Sequence, residues 1–145
     1  VHISTDYVYP GEKAPYSEEE ETIPFTVYGW TKLGAETAVK LVKNHCIIRT
    51  SFFDPDNIKF DVAPCDSYCS KMPLLELVSA IINLLDSDFV GTINVGQERI
   101  SIYDAFKKYK PSLTEVSLEE ISKDLPFKMA KDSSLDISLW KSLKQ

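Results

Sequence analysis

The stretches Ile3–Tyr7 (Ile-Ser-Thr-Asp-Tyr) and Tyr28–Lys32 (Tyr-Gly-Trp-Thr-Lys) decide the fold of this chain. Apolar and polar residues alternate from Val1 to Ile3, and polar residues follow from Ser4, which predicts that a buried strand ends there. The second stretch predicts the start of a helix, where residues four apart lie on one face. The Tyr28 phenol and the Lys32 ammonium would then point into the same space. An ammonium stabilises phenolate, which lets a tyrosine act as an acid or base near neutral pH.

A hydroxyl at the carboxyl end of a neighbouring strand completes a site for a carbonyl group. Thr5 lies at that position and can donate a hydrogen bond to a carbonyl oxygen held between the strand and the helix. Thr5, Tyr28 and Lys32 together have the groups that carbonyl reduction or its reverse needs. Tyr-x-x-x-Lys alone is common on helix surfaces, so the joint pattern carries the prediction.

That joint pattern extends over three segments of the first 36 residues. They are Ser-Thr-Asp-Tyr-Val-Tyr-Pro-Gly from Ser4, Pro-Tyr-Ser-Glu-Glu from Pro15, and Pro-Phe-Thr-Val-Tyr-Gly-Trp-Thr-Lys-Leu-Gly-Ala-Glu from Pro24. The pattern resembles the extended short-chain dehydrogenase/reductase superfamily and, within it, the dTDP-4-dehydrorhamnose reductase group of sugar-nucleotide reductases. The resemblance is densest over residues 1–51. It implies a nicotinamide cofactor, NADPH or NADH, and a nucleotide-linked 4-keto sugar as substrate.

The same resemblance implies roles for individual residues. Thr5, Tyr28 and Lys32 correspond to the catalytic set, and the tyrosine and lysine also contact the cofactor. In the family, the strand after this helix ends at the nicotinamide, which adds three expected cofactor-binding residues: Arg49, Thr50 and Ser51. The residues expected on the substrate side are Asp6, Tyr7 and Phe52.

The order of elements favours an α/β fold. Strands near Val1, Cys46 and Thr92 alternate with helices, which predicts a Rossmann-type parallel sheet flanked by helices, with part of a small substrate lobe. The five glycines form no Gly-x-Gly-x-x-Gly motif, so we expect the chain to lack the N-terminal glycine-rich βαβ half of a reductase. We expect one domain over 1–145, with the catalytic strand and helix in 1–53 and the remaining sheet and lobe in 54–145.

Hydrophobic spacing predicts two helices and the faces that they bury. The first runs from about Val27 to Lys43, with an inner stripe of Leu33, Thr37, Ala38, Leu41 and Val42. The second runs from Pro73 to Leu85, with an inner stripe of Leu74, Leu77, Val78, Ile81, Ile82 and Leu85. The acidic run Glu18–Glu21 is expected to be solvated.

The composition of the chain argues against several other classes of protein. The chain has 145 residues, of which 43% are apolar and 26% charged, as expected of one globular domain. Its net charge of -6 argues against a nucleic-acid partner, and no apolar run is long enough for a membrane helix. Three cysteines without a secretory signal predict a reducing compartment, the cytoplasm, and their loose spacing predicts no metal site.

Two alternatives stand beside the reductase. A sugar-nucleotide epimerase or dehydratase of the same superfamily would use the same tyrosine and lysine. A non-catalytic, reductase-like regulatory or binding subunit would need neither turnover nor a phosphate-binding loop. A nucleotide-sugar is the expected ligand, and a homodimer is left open.

Overall fold

Strands and helices alternate along the chain in the computed structural model, which describes residues 1–143. The strands are β1 (His2–Ile3), β2 (Cys46–Thr50), β3 (Phe52–Phe53), β4 (Val62–Pro64), β5 (Tyr68–Cys69), β6 (Met72–Pro73), β7 (Gly91–Val95), β8 (Ile100–Ser101) and β9 (Thr114–Val116). The α-helices are α1 (Val27–Val39), α2 (Leu74–Leu85), α3 (Ile102–Lys107), α4 (Leu118–Ser122) and α5 (Ser138–Leu143), and a 3₁₀ turn covers Asp6–Val8. This order confirms the predicted α/β class.

The main sheet contains β1, β2 and β7, all parallel, with β2 in the middle. Ile48 of β2 pairs with Ile3 on one side and with Ile93 on the other. All five residues of β2 are buried, because the strand is covered on both faces. Parallel strands end at one edge, so the ends of β1 and β2 lie together, where open α/β sheets bind ligands.

The first helix is shorter than predicted and buries a different face. It ends at Val39 rather than near Lys43, and Leu41 beyond it is 86% exposed. Its fully buried residues are Gly29 and Glu36, seven positions apart on one face. Of the predicted stripe, Thr37, Ala38 and Val42 are exposed, and Leu33 is partly buried. The inward face is set by a backbone contact and a buried ion pair, which hydrophobic spacing does not detect.

The second helix begins one residue later than predicted, at Leu74, and presents another face to the core. Leu77, Ala80 and Leu84 are buried, and Ile81 packs against the same core. Four residues of the predicted stripe are instead exposed: Leu74, Val78, Ile82 and Leu85. The helix is apolar on more than one side, so its periodicity could not select the packed side.

A second core forms around the short strands after β2. β3 pairs with β6, β4 with β9, and β5 with β8. Phe53, Ala63, Phe106 and Leu113 fill the space between these strands and α3. Because β3 directly follows β2, this lobe begins at the carboxyl end of the central strand.

Candidate active site

The first turn of α1 packs against the segment that follows β1. Thr26 caps the helix, since its Oγ1 accepts a hydrogen bond from the Gly29 backbone N–H at 3.0 Å. A Cβ at Gly29 would overlap the Tyr7 carbonyl oxygen and would lie 2.9 Å from the Pro24 Cβ. This close approach holds Tyr28, the residue before Gly29, at the end of β1.

Lys32 reaches back from α1 to the last residue of β1. Its Nζ donates to the Ile3 carbonyl oxygen at 2.5 Å, and its side chain is half-buried. Thr5 lies two residues beyond that carbonyl. The ammonium is therefore fixed at the carboxyl end of the strand, one helical turn from Tyr28, as the spacing predicts.

Tyr28 is the exposed member of the predicted catalytic set. Its side chain is 56% exposed, and its hydroxyl has no hydrogen-bond partner within residues 1–143. The hydroxyl is free to donate to a ligand at this edge of the sheet.

Thr5 is buried and already makes hydrogen bonds. Its Oγ1 accepts from the Tyr7 backbone N–H at 3.2 Å, which caps the 3₁₀ turn Asp6–Val8. The same hydroxyl donates to Asp6 Oδ1 at 3.1 Å. A substrate carbonyl would have to compete with Asp6 for the Thr5 proton.

Asp6, predicted on the substrate side, has a buried side chain. Its side chain is 2% exposed, and its second carboxylate oxygen, Oδ2, accepts from Ser133 Oγ at 2.8 Å. Burial raises the pKa of Asp6, and the nearby Lys71 and the hydrogen bonds from Ser133 and Thr5 oppose that rise only in part. The Asp6 carboxylate therefore links Thr5 to Ser133 in the interior of the chain.

Arg49, predicted to bind the cofactor, has its guanidinium buried in an ion pair. Nε and Nη2 donate to the two carboxylate oxygens of Glu36 at 3.0 and 2.8 Å, and Nη1 donates to the Tyr9 hydroxyl at 2.8 Å. Ser4 Oγ also donates to Glu36 Oε1 at 2.5 Å. The Arg49 side chain therefore joins β2 to α1 in the core and, through Glu36 and Ser4, to the segment after β1.

Glu36 is a functional neighbour that the sequence analysis missed. Burial alone would raise its pKa, but the hydrogen bonds from Arg49 and Ser4 outweigh burial and lower the pKa below its usual value. The available signal was its spacing, since Glu36 follows Lys32 by four residues and so shares its helix face.

The acidic run is solvated only in part. Glu18 Oε1 accepts from the Asn94 backbone N–H at 2.8 Å, and the Glu18 carbonyl oxygen accepts from Arg49 Nη1 at 3.3 Å. Residues 19–21 are exposed as predicted. Glu18 therefore fastens the loop to β7 and to the buried ion pair.

The end of β2 carries two small hydroxyl side chains. Thr50 is buried, and its Oγ1 has no hydrogen-bond partner in the described part of the chain. Ser51 Oγ accepts from Lys71 Nζ at 2.6 Å. The sequence analysis also missed Lys71, because a single lysine outside any recognised motif carries no signal of its own.

A cleft of about 560 Å³ opens between the end of β2 and the second lobe. Tyr7, Phe52 and Lys71 line it, so two of the three predicted substrate-side residues face the same space. Most other lining side chains are apolar, among them Ile58, Phe60, Ile102, Phe106, Phe127 and Met129. Burial, with a smaller effect of Asp6, raises the pKa of Tyr7 to about 12, so its hydroxyl stays neutral and able to donate. The volume lies in the range of small-molecule sites.

The cysteines are not among the residues that line this cleft. All three are free thiols, with Cys46 and Cys69 buried and Cys65 exposed. Within residues 1–143, no three His, Cys, Asp or Glu side chains lie together as metal ligands would. None of the helices in that range has the length and apolar character required to span a membrane.

The sequence of the first third of the chain matches a known family. Residues 1–57 match the family described as the RmlD substrate binding domain. A stretch of 54 residues is 52% identical to a dTDP-4-dehydrorhamnose reductase of Sinorhizobium fredii (strain NBRC 101917 / NGR234), covering 36% of this chain and 18% of that protein. Over these residues the chain is similar to the dTDP-4-dehydrorhamnose reductases. A 39-residue stretch is also 49% identical to methionine adenosyltransferase 2 subunit beta of Rattus norvegicus, covering 27% of this chain and 12% of that protein.

The resemblance to solved structures extends over nearly the whole chain. A hypothetical dTDP-4-dehydrorhamnose reductase from Sulfolobus tokodaii is 34% identical with a TM-score of 0.79, over 97% of this chain and 56% of that one. A dTDP-4-dehydrorhamnose reductase from Bacillus anthracis, solved in complex with NADP, is 24% identical with a TM-score of 0.82, over 97% and 58%. The chain therefore spans a little over half the length of these dTDP-4-dehydrorhamnose reductase structures, and the comparison confirms the Rossmann-type fold.

Proposed function

We propose that this chain supplies the catalytic residues of a nicotinamide-dependent reductase of the short-chain dehydrogenase type, acting on the C4 carbonyl of a nucleotide-linked keto sugar. The hydrogen bond from Lys32 to the Ile3 carbonyl is the observation that carries the proposal. It holds the Tyr28–Lys32 face of α1 at the carboxyl end of β1, next to Thr5. The names of the related reductases and the NADP bound to one of them support the substrate class and the cofactor.

The residues at the sheet edge fit the nicotinamide side of a cofactor, either NADPH or NADH. The buried Thr50 hydroxyl has no partner within residues 1–143, and the Tyr28 hydroxyl is equally free. Both offer polar atoms to a ligand at this edge. The 145 residues contain no Gly-x-Gly-x-x-Gly motif for a pyrophosphate, so the fit concerns the nicotinamide and its ribose alone.

The proton chemistry follows from the three catalytic residues. A bound reduced nicotinamide would supply hydride to the carbonyl carbon. Tyr28 gives its proton to the carbonyl oxygen as negative charge develops there. Lys32 stabilises the resulting phenolate and donates towards the cofactor ribose. Thr5 turns its hydroxyl from Asp6 to the carbonyl oxygen and fixes the orientation of the sugar.

The cleft beside these residues is the proposed substrate site. Phe52 is half-exposed and offers a flat apolar surface to the ligand, and Tyr7 offers a neutral hydroxyl. A sugar seated against Phe52 would have its reacting carbon at the end of β1 and its nucleotide along the apolar wall of the second lobe.

Three further predictions belong to the same proposal. The free thiols fit an enzyme of the cytoplasm. The division into a catalytic strand and helix region, 1–53, and the remaining sheet and substrate-lobe elements, 54–145, stays a prediction, because the first hydrophobic core takes side chains from both regions. A homodimer is compatible with the site.

The proposal is tested by the stoichiometry of cofactor use. The protein as its gene encodes it, and the 145-residue chain, are incubated with NADPH or NADH and dTDP-4-dehydrorhamnose. A reductase oxidises one equivalent of cofactor for each sugar reduced. An altered sugar without net consumption of cofactor would instead identify an epimerase.

The second candidate is a non-catalytic, reductase-like subunit. The match to methionine adenosyltransferase 2 subunit beta favours it, since that protein is named as a subunit. Binding of a nucleotide-sugar with no chemical change to the sugar or the cofactor would support this candidate and would contradict the reductase.

A further inference from the structure

We propose that Lys71 binds an anionic group of the substrate, so that this cleft selects ligands carrying a carboxylate or phosphate. The inference rests on the proposed function, because it concerns the same cleft, and it adds a determinant of specificity to it. Lys71 lies where the substrate side, Tyr7 and Phe52, meets the expected cofactor side at Ser51.

The Lys71 ammonium is held in place but is not neutralised by a contacting acid. Its Nζ donates to Ser51 Oγ at 2.6 Å, and within residues 1–143 no carboxylate oxygen lies within 4 Å of it. An ammonium has three N–H donors, and Ser51 uses one of them. Two donors and a full positive charge remain for a ligand.

The surroundings of Lys71 make that charge significant. The cleft is walled mainly by apolar side chains, and Lys71 and Asp54 are the two charged residues among its described lining. Asp54 is exposed, and its Oδ1 accepts from the Asp56 backbone N–H at 3.0 Å. Asp6 interacts electrostatically with Lys71, but its two carboxylate oxygens accept hydrogen bonds from Thr5 and Ser133.

A half-buried ammonium attracts an anion more strongly than a solvated one, because less water screens the pair. A nucleotide-linked sugar has two places for such an anion: the diphosphate and a carboxylate on the sugar. Both offer the charged oxygen acceptors that an ammonium binds best. The geometry assigns an oxyanion as the ligand of Lys71, and experiment distinguishes the diphosphate from the sugar carboxylate.

The test is calorimetric binding of two matched pairs of ligands to the full chain. Thymidine and dTDP differ by the diphosphate, whereas UDP-glucose and UDP-glucuronic acid differ by one carboxylate. Lys71→Gln keeps a donor for Ser51 and removes the charge. We expect it to weaken the anionic member of one pair by roughly 10-fold or more, with thymidine affinity unchanged. Loss of dTDP affinity identifies the diphosphate, and loss of the preference for UDP-glucuronic acid identifies the carboxylate.

Three variants guard this result. Lys71→Arg keeps the positive charge and is expected to keep the preference for the anionic ligand. Lys71→Met also removes the charge, and it replaces Lys71→Gln if that variant fails to fold. Lys59→Gln removes a positive charge from an exposed residue near the cleft and should change nothing. Unaltered preferences in the Gln and Met variants, or an equal loss in Lys59→Gln, would overturn the inference while leaving the proposed function standing. A wild-type chain that binds none of the four ligands would overturn both.

Discussion

The backbone of Gly29 lies directly against the Tyr7 carbonyl oxygen, so that a Cβ at Gly29 would overlap that oxygen. The contact joins two backbone segments, and neither can yield as the tip of a flexible side chain would. It fixes the first turn of α1 on the segment after β1. The position of Tyr28 therefore depends on a neighbouring residue with no chemical role of its own.

Gly29→Ala should displace this turn and lower both stability and turnover. The same substitution at Gly34 provides a matched control, because a Cβ there has no atom within 4 Å. Alanine inside a helix is favoured over glycine by up to about 1 kcal/mol, so Gly34→Ala should be neutral or stabilising. Urea unfolding of both variants measures the difference. Equal stability of the two would show that the contact at Tyr7 is not tight.

Removing the buried charge of Glu36 should destabilise the fold by about 3 kcal/mol at neutral pH, because Arg49 then stays buried without a counter-charge. Glu36→Gln tests this by urea unfolding. Glu98→Gln is the control, because Glu98 pairs with Lys141 on the surface, where ion pairs contribute roughly 1 kcal/mol or less. Similar losses in both variants would contradict a buried, energetically important pair.

The ion pair between Glu36 and Arg49 also makes the stability of the fold depend on pH. The pKa of Glu36 is lower in the folded chain than in the unfolded one, where it is near 4.5. Its stabilisation is therefore fully present above that pH and is lost as the pH falls through the folded pKa. Below about pH 4.5 the free energy of unfolding should fall more steeply for the wild type than for Glu36→Gln. Parallel curves would show that Glu36 is not held as the anion.

The ionisation of Asp6 should change the stability of the fold with pH in the opposite direction. Its pKa is raised in the folded chain by burial, so its contribution to stability is fully present below the unfolded pKa and is lost as the pH rises through the folded pKa. The stability of Asp6→Asn relative to wild type should therefore increase as the pH rises above about 4. Asp56→Asn makes the same substitution at an exposed position and serves as a control for the substitution itself. A stability difference between Asp6→Asn and wild type that does not change with pH would contradict the burial of an ionisable carboxyl at Asp6.

Local pattern was enough to predict the strands of the main sheet and the start of α1. The strand ends at Ile3 and Thr50 and the start of α1 at Val27 follow from apolar runs and a capping residue, which short segments contain by themselves. The spacing of Tyr28 and Lys32 fixed one face of that helix.

The sequence could not show which distant segment of the chain packs against each residue. Arg49 was expected at a cofactor but pairs with Glu36 of α1, thirteen residues earlier. Asp6 was expected in the cleft but is covered by Ser133, 127 residues away. The face of α2 was ambiguous for the same reason, since two of its sides are apolar and only packing decides between them.

The central claim is that Tyr28 donates the proton to the substrate carbonyl. Its most direct test is the rate of NADPH oxidation with saturating dTDP-4-dehydrorhamnose, comparing the wild type with Tyr28→Phe and with Tyr103→Phe, a tyrosine of α3 outside the site. Tyr28→Phe should slow the reaction by roughly 10²- to 10⁴-fold with unchanged affinity for the nucleotide-sugar, and Tyr103→Phe should keep the full rate. A Tyr28→Phe variant as fast as the wild type would contradict the account.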